Sequence, residues 1–225
     1  MTEENQNLDF ITKITNWYAK NEKMLTYAVI GVLVLVGGIY AYNYYSNLKN
    51  NEAQEELYGI QAAFAKDSFD AVLKGTNGGM SAIDIADEYG NTKAGNLAKF
   101  YAGVAFFKKS DFETAMDYLK SFDANGDPLM APNRLGMIGD CYASLKDYEE
   151  AASYFNKAGE AGINDLTTPH WMYKAGAAYE KLEDFAAAAE AYQFVIDNCP
   201  EVVSKLQTKK FLNYAKARAG ELVAE

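Results

Sequence analysis

The stretch GDCYASLKDYEEA, residues 139–151, decides the fold of this chain because related stretches occur on both sides of it. The earlier copy is GVAFFKKSDFETA at 103–115, and the later copy is GAAYEKLEDFAAA at 176–188. In every copy a glycine comes first, an aromatic residue follows three positions later, and an alanine stands twelve positions after the glycine. The glycines are 36 and 37 positions apart. A period of this length is typical of helical repeats that stack into a solenoid.

Each copy predicts two helices joined by a short turn. Small glycine and alanine side chains allow the two helices to cross closely, and the Phe or Tyr between them fills the gap. The aspartate in the turn, which is Asp111, Asp147 or Asp184, can cap the second helix. Pro200 is placed to stop the last helix, since proline commonly follows a helix end.

This pattern resembles the tetratricopeptide repeat, which has a period of about 34 residues and a G…Y…A…F…A…P signature. The resemblance implies an all-α helical solenoid. The three repeats are then expected at about 96–127, 132–163 and 169–200. Because both spacings exceed the usual period, the extra residues fall in the inter-repeat loops around Asn125-Gly126-Asp127 and Gly162-Ile163-Asn164.

Flanking helices are expected to complete a domain at 49–225. Residues 51–73 hold a degenerate copy of the repeat, a glycine-rich loop follows at 75–79, and a short helix is predicted at 81–89. Residues 201–222 are predicted to form a closing helix, since terminal repeats of a solenoid need a cap.

A membrane span is predicted ahead of this domain. The 25 residues from Met24 to Leu48 carry no charge, and a bilayer core of about 30 Å needs roughly 20 apolar helical residues. Tyrosines lie at both ends of the run, as is typical of the membrane interface. The run is longer than the apolar part of a cleaved signal peptide, so we interpret it as a retained signal anchor. The alternative is a buried core helix.

Residues 1–23 are predicted to be a cytoplasmic amphipathic segment. Leu8, Ile11, Ile14, Trp17 and Tyr18 would form one apolar stripe on a helix, which could lie in the membrane interface. A solvated anchor stub is the alternative. Three lysines precede the span, whereas one lies close behind it, so the positive-inside rule favours a cytoplasmic N-terminus.

Composition excludes several classes of function. The 31 acidic and 21 basic residues give a net charge of −10, which disfavours nucleic-acid binding. With His170 as the only histidine, a site that needs two histidines is excluded. No phosphate-binding loop, G-x-S-x-G or H-E-x-x-H motif occurs, so we expect no enzyme, cofactor or metal site. Cys141 and Cys199 are expected to be buried thiols, although one long-range disulfide remains an alternative.

The layout of the whole chain resembles one family. The run Ile14-Thr15-Asn16-Trp17-Tyr18-Ala19-Lys20-Asn21 before the span is similar to the entry segment of the YfgM-like ancillary subunits of the bacterial SecYEG translocon. The resemblance implies a single-pass protein of the bacterial inner membrane with a periplasmic repeat domain. It also implies the SecYEG-type translocon and a membrane-tethered periplasmic chaperone as partners.

The concave face of the solenoid is the predicted protein-binding groove. Counting the glycine as position 8 of a repeat, positions 2, 5, 9 and 12 are expected to face inward. The candidate groove residues are Leu97, Phe100, Val104, Phe107, Asn133, Asp140, His170, Tyr173 and Glu180. The groove would be apolar at one end and polar to acidic at the other. In the alternative, the helix at 51–73 or at 81–89 covers Phe100 and Phe107.

Two functions follow from these observations. In the first, the protein is a membrane-anchored periplasmic interaction module that docks on a translocon or chaperone complex. In the second, it is a cytosol-facing repeat receptor or scaffold of another membrane machine. The Lys/Asn clamp that some tetratricopeptide domains use for carboxylate tails is missing, because Phe100 occupies the position of its first lysine.

Overall fold

The structure, a computed structural model, describes residues 3–76, 78–203 and 207–220. Within these ranges the chain forms α-helices and turns and no strand, so the predicted all-α fold is confirmed. The helices are α1 Glu3–Phe64, α2 Phe69–Lys74, α3 Ala82–Tyr89, α4 Lys93–Lys108, α5 Phe112–Ser121, α6 Met130–Ser144, α7 Tyr148–Glu160, α8 Thr167–Lys181, α9 Phe185–Asn198, α10 Pro200–Val203 and α11 Thr208–Ala219.

The first compact unit, Met1–Lys49, consists of the N-terminal part of α1. The most apolar 18-residue window of this helix has a mean hydropathy of 2.1, and none of that window is buried. Its length and composition make α1 a candidate membrane span. The predicted amphipathic segment at 1–23 is helical from Glu3 onward without a break before the span, and its residues 1 and 2 lie outside the described residues.

The second unit, Asn50–Glu225, contains its own core. Every buried side chain of the described residues lies in it, from Ala53 to Ala215. The C-terminal part of α1 belongs to this core, because Leu57 and Ile60 are fully buried in one cluster with residues of α2, α3 and α4. A core that is complete within residues 50–225 allows this part of the chain to fold on its own.

Three helix pairs, α4–α5, α6–α7 and α8–α9, form the repeats of the solenoid. A glycine in the first helix of each pair lies under a large side chain of the second helix. A Cβ atom at Gly103 would come 2.8 Å from Leu119 Cγ, and one at Gly139 would come 2.7 Å from Phe155 Cδ1. The predicted role of these glycines in close helix crossing is therefore confirmed.

The turn inside each repeat is built as the sequence predicts. Asp111 Oδ1 accepts a hydrogen bond from Thr114 N at 3.2 Å, and Asp184 Oδ1 accepts one from Ala187 N at 3.0 Å. Asp147 caps α7 in the same way. Each aspartate satisfies a backbone donor that the first turn of a helix leaves without a partner.

The residue before each capping aspartate has a left-handed backbone conformation, with a positive φ angle. The φ angles are 64° at Ser110, 64° at Lys146 and 58° at Glu183. A side chain with a Cβ atom raises the energy of this conformation, whereas glycine adopts it freely. The repeated turn is therefore strained at the same place in every copy.

Lys146→Gly and Glu183→Gly are each expected to stabilise the domain. Relief of the left-handed strain should add about 0.5–1 kcal/mol to the free energy of unfolding, measured by urea denaturation of residues 50–225. Lys157→Gly, on the exposed surface of α7, is the control and should destabilise by about 1 kcal/mol. A loss of stability in both turn variants would show that the turn is not strained.

The closing segment contains two helices in the described residues, α10 and α11, where one helix at 201–222 was expected. Gln207, the N-cap residue of α11, has a φ of 54°, and residues 204–206 and 221–222 lie outside the description. Leu212 and Ala215 of α11 are buried in one cluster with Tyr192 of α9. Helix α11 therefore covers the last repeat.

Candidate functional site

The four candidate groove residues of α4 are not equally accessible. Val104 is only 6% exposed, so it cannot contact a partner as the fold stands. The Phe100 ring lies 5.3 Å from the Phe122 ring, and the Phe107 ring lies 5.6 Å from the Phe112 ring. Both phenylalanines pack against the cluster that joins α5 and α6. Leu97 packs against the cluster that α4 shares with α1, α2 and α3.

These contacts reduce the side-chain surface of α4 that a partner could reach. The side chains that cover Phe100 and Phe107 come from α5 and from the next repeat, and only Leu97 joins the cluster of the flanking helices. Leu97, Phe100 and Phe107 remain partly exposed. Their edges can contribute to a binding surface, although each ring also stabilises the packing between repeats. Their assignment to the groove stays a prediction.

A polar cluster around Asp140 and Lys174, called the polar centre below, lies between α6 and α8 on the predicted groove. Lys174 Nζ lies 2.8 Å from Oδ1 and 2.8 Å from Oδ2 of Asp140. The same ammonium group lies over the ring of Trp171, 4.9 Å from its centroid, and over that of Phe155, at 5.7 Å. Contacts with two aromatic faces and a carboxylate hold the Lys174 ammonium group in position.

Lys174 was missed by the sequence analysis. It lies two positions before Gly176, which is outside the four positions counted as inward-facing. Its spacing of four from His170 was a signal, because residues four apart share a helix face. Asn133, one of the predicted groove residues, is partly buried on α6, and His170 is exposed on α8.

The surroundings of His170 disfavour its protonated form. Partial burial lowers its pKa below the usual value, and the nearby Lys174 ammonium lowers it further, while Asp140 acts in the opposite direction. Its ring meets that of Trp171 edge-on at 4.4 Å. A basic group whose pKa is lowered on folding gains its proton only in more acidic solution, and stability then falls as the pH decreases.

Two further groove residues are held by the end of the domain. Tyr173 OH shares a hydrogen bond with Thr208 Oγ1, and its ring packs at 5.5 Å from that of Phe211 in α11. Glu180 Oε1 accepts a hydrogen bond from Tyr192 OH at 2.9 Å. Both residues are partly buried. Tyr173 therefore joins α8 to α11, and Glu180 joins α8 to α9.

Two buried nitrogen atoms of the described residues have no hydrogen-bond partner, Arg134 Nε and Trp171 Nε1. Both residues lie on first helices of repeats, on α6 and α8. The Trp171 ring covers Gly136, where a Cβ atom would overlap it. Because Gly136 has no side chain, the Trp171 ring can lie against α6 and contact the Lys174 ammonium group.

A separate cleft of about 900 Å³ opens between the start of α4 and the loop that joins α5 to α6. Asn96 anchors this loop, since its Oδ1 accepts from Asp123 N at 2.9 Å and its Nδ2 donates to Asp123 O at 2.7 Å. Leu97, Phe122 and Met130 contribute apolar surface to the cleft. No motif in the sequence indicated it, because its walls come from two distant segments.

The cysteines lie in two different buried clusters and form no disulfide. Burial raises the pKa of the Cys141 thiol to about 12, and it also raises the pKa of Cys199. Among the described residues, no three His, Cys, Asp or Glu side chains are arranged to hold a metal ion.

Neither cysteine is expected to react with a thiol reagent while the protein is folded. The raised pKa of both thiols disfavours the reactive thiolate, and both side chains are fully buried. Titration with an aromatic disulfide reagent at mildly alkaline pH should therefore detect both thiols only after denaturant is added. Fast reaction of either thiol in native buffer would contradict the described packing, and a protein unfolded in urea is the positive control.

Comparison with known proteins places this architecture in a family. Residues 15–214 match the family model described as a tetratricopeptide repeat-like domain. The chain belongs to this family. The resemblance drawn from the three glycine stretches is thereby confirmed for the tetratricopeptide-like repeats, and the match extends over α1 as well as the repeats.

Solved structures agree on the fold. Thirteen chains match significantly, among them the crystal structure of MamA protein, at 15% sequence identity and a TM-score of 0.56. That alignment covers 75% of this chain and 83% of the MamA chain. A search of curated proteins found no significant match. As a tetratricopeptide repeat-like protein, the chain is a protein-interaction module, and its partners are proteins.

Proposed function

We propose that this protein is a membrane-anchored tetratricopeptide interaction module that serves as an ancillary subunit of the bacterial Sec translocon and the periplasmic chaperone network. The observation that carries the proposal is the joining of one apolar helix, exposed over its whole apolar window, to a repeat domain with its own core. The resemblance of residues 14–21 to the YfgM-like subunits supports the translocon as the partner.

The partner binds along the first helices of the repeats. Leu97 and the edge of Phe100 offer apolar surface on α4, while Asn133, the Asp140–Lys174 pair and His170 offer polar groups on α6 and α8. Solenoids of this kind recognise partners with the concave face that such helices form. The proposed partner segment is therefore apolar where it meets α4 and polar where it meets α8.

The topology is tested by fusing alkaline phosphatase behind residue 225 of the full-length protein. The proposal puts the repeat domain in the periplasm, so the fusion should be active, and a cytoplasmic reporter at the same position should be silent. Lys13, Lys20 and Lys23 before the span support this orientation. The reverse result would favour a cytosol-facing scaffold of another membrane assembly and would remove the periplasmic assignment.

The partner surface is tested with one pair of lysine variants. Lys174→Ala removes the cation at the polar centre, whereas Lys157→Ala removes a cation that lies over Tyr154 on α7, a second helix of a repeat. Co-purification of SecYEG with the full-length protein should fall about tenfold for the first variant and stay unchanged for the second, since few residues carry most of an interface's binding energy. Equal recovery of SecYEG with both variants would exclude the polar centre as the contact.

A further inference from the structure

Two lengthened inter-repeat loops expose aliphatic side chains to water. The loop between α5 and α6 ends in Leu129, which is 46% exposed, and the loop between α7 and α8 holds Ile163, 54% exposed, and Leu166, 72% exposed. These loops carry the residues by which the repeats exceed the usual period of about 34 residues. We refer to Leu129, Ile163 and Leu166 together as the loop ridge.

The two leucines are presented by the same backbone arrangement. Asp127 Oδ1 accepts hydrogen bonds from Leu129 N at 2.8 Å and from Met130 N at 2.9 Å. Asn164 Oδ1 accepts from Leu166 N at 2.9 Å and from Thr167 N at 2.8 Å. In each loop a side-chain oxygen thus fixes the backbone of the leucine and of the residue that follows it. The same hydrogen-bond arrangement therefore holds an exposed leucine in both loops.

Stability does not explain a leucine at either position. Leu129 is the N-cap residue of α6 and Leu166 that of α8, and neither makes a side-chain capping hydrogen bond. Ser, Thr, Asp and Asn are strongly preferred at this position, because their oxygens bind free backbone N–H groups. Asp127 and Asn164 already supply that bond at the two helix starts, so neither leucine is needed for capping, and both leucine side chains remain in water. Exposed apolar groups that lie together mark interaction surfaces.

The two loops touch each other. A Cβ atom at Gly162 would lie 3.1 Å from Pro128 O and 3.5 Å from Pro128 Cα. Since Pro128 precedes Leu129 and Gly162 precedes Ile163, the aliphatic side chains rise from adjoining segments. The 900 Å³ cleft borders the first loop, because Gly126, Asp127 and Met130 contribute to its wall. The loop ridge and the cleft thus adjoin along one edge of the domain.

The rim of the loop ridge is negatively charged. Asp123, Asp127, Glu160 and Asp165 are exposed on these loops, and no lysine or arginine occurs in the sequence at 121–133 or 158–173. Backbone N–H groups of Met130 and Leu129 lower the pKa of Asp127 below its usual value, so this carboxylate keeps its charge in mildly acidic solution. Lys93 and Lys99 lie on the cleft wall contributed by the start of α4.

We propose that the loop ridge is a second docking surface, separate from the concave groove, for an amphipathic segment of a protein partner that carries Lys or Arg beside aliphatic or aromatic side chains. The aliphatic ridge buries the apolar side of that segment, and the carboxylate rim pairs with its cations. This inference goes beyond the proposed function, because it does not depend on the groove or on the translocon as the groove's partner.

The test uses residues 50–225 and a short helical peptide made of Leu and Lys with one apolar face. This peptide should bind, and added salt should weaken the binding, since screening reduces the attraction of exposed charges. A peptide of the same pattern with Glu in place of Lys should bind at least about tenfold more weakly, as like charges then face the rim. Isothermal titration calorimetry measures both affinities.

A matched pair of double variants locates the surface. Leu129→Ser with Leu166→Ser should weaken binding of the Leu/Lys peptide about tenfold or more, because two apolar contacts are lost. The melting temperature should stay nearly the same, because both leucines are exposed and Asp127 and Asn164 still cap the two helices. The control is Leu145→Ser with Leu182→Ser, which changes two leucines of 42% and 44% exposure at the opposite ends of α6 and α8. The control should bind the peptide as the unchanged protein does.

Several outcomes would overturn the proposal. They are failure of the Leu/Lys peptide to bind, equal binding of the Leu/Glu peptide, and equal loss in both double variants. Ridge-dependent binding to vesicles of phosphatidylglycerol, without binding to the peptide, would identify a lipid surface instead. Lys174→Ala should leave peptide binding unchanged, so a failure of the concave groove as a binding site is distinguished from a failure of the loop ridge.

Discussion

Gly136→Ala is expected to lower the free energy of unfolding of residues 50–225 by about 1–3 kcal/mol, the usual effect of overpacking a core. A Cβ atom at this position would overlap three ring carbons of Trp171. The ring cannot move away easily, because it is 4% exposed and stacked at 6.0 Å on the ring of Phe155. Urea denaturation followed by circular dichroism measures the change.

The control is the same substitution in a Trp171→Leu background. Leucine is smaller and flexible, so the overlap disappears. Alanine should then stabilise α6 by up to about 1 kcal/mol relative to glycine, because it is the better helix former. The sign of the Gly136→Ala effect is thus expected to reverse between the two backgrounds. An equal loss of stability in both would show that Trp171 does not cover Gly136 in solution.

Leu57→Ala is expected to destabilise residues 50–225 by about 2–5 kcal/mol, as a buried leucine typically does when it is truncated. Leu57 is fully buried, although it belongs to the same helix as the candidate membrane span. Its side chain packs in the cluster that includes Val72 and Ile85. The change in the denaturation midpoint at constant slope measures the effect.

The neighbouring residue is the matched control. Tyr58 is 73% exposed on the same helix turn, so Tyr58→Ala should alter stability by no more than about 0.5 kcal/mol. A small effect of Leu57→Ala, comparable to that of Tyr58→Ala, would mean that residues 50–64 act as a linker and that the domain core begins at α2. The contrast between adjacent residues separates these two arrangements directly.

The sequence allowed much of the fold to be predicted, because its strongest signals are local. The spacing of Gly103, Gly139 and Gly176 predicted close helix crossings, and the structure confirms them. Aspartates in the turns predicted helix caps, and their side-chain oxygens accept the expected backbone bonds. Both signals depend on residues a few positions apart in the chain, and such contacts follow from helix geometry alone.

The site was harder to predict, because it depends on how neighbouring repeats meet. The position of Lys174 over Trp171 and Phe155 depends on side chains from α7 and α8 together. Burial of Val104 likewise depends on packing that a pattern of positions on one helix does not contain. The contact between the loops that hold Leu129 and Leu166 likewise depends on how neighbouring repeats meet.

The side chains at corresponding positions of the three repeats differ in size, and this difference has a consequence for recombination in the gene. Phe100, Gly136 and Tyr173 occupy corresponding positions in the three copies, and only the glycine leaves room for the Trp171 ring. Recombination between tandem copies in a gene can delete one of them. Loss of one repeat length, residues 104–139, would bring Phe100 to the place of Gly136, and two large rings would then compete for one space. The fit of the Trp171 ring over Gly136 therefore disfavours the loss of this repeat copy.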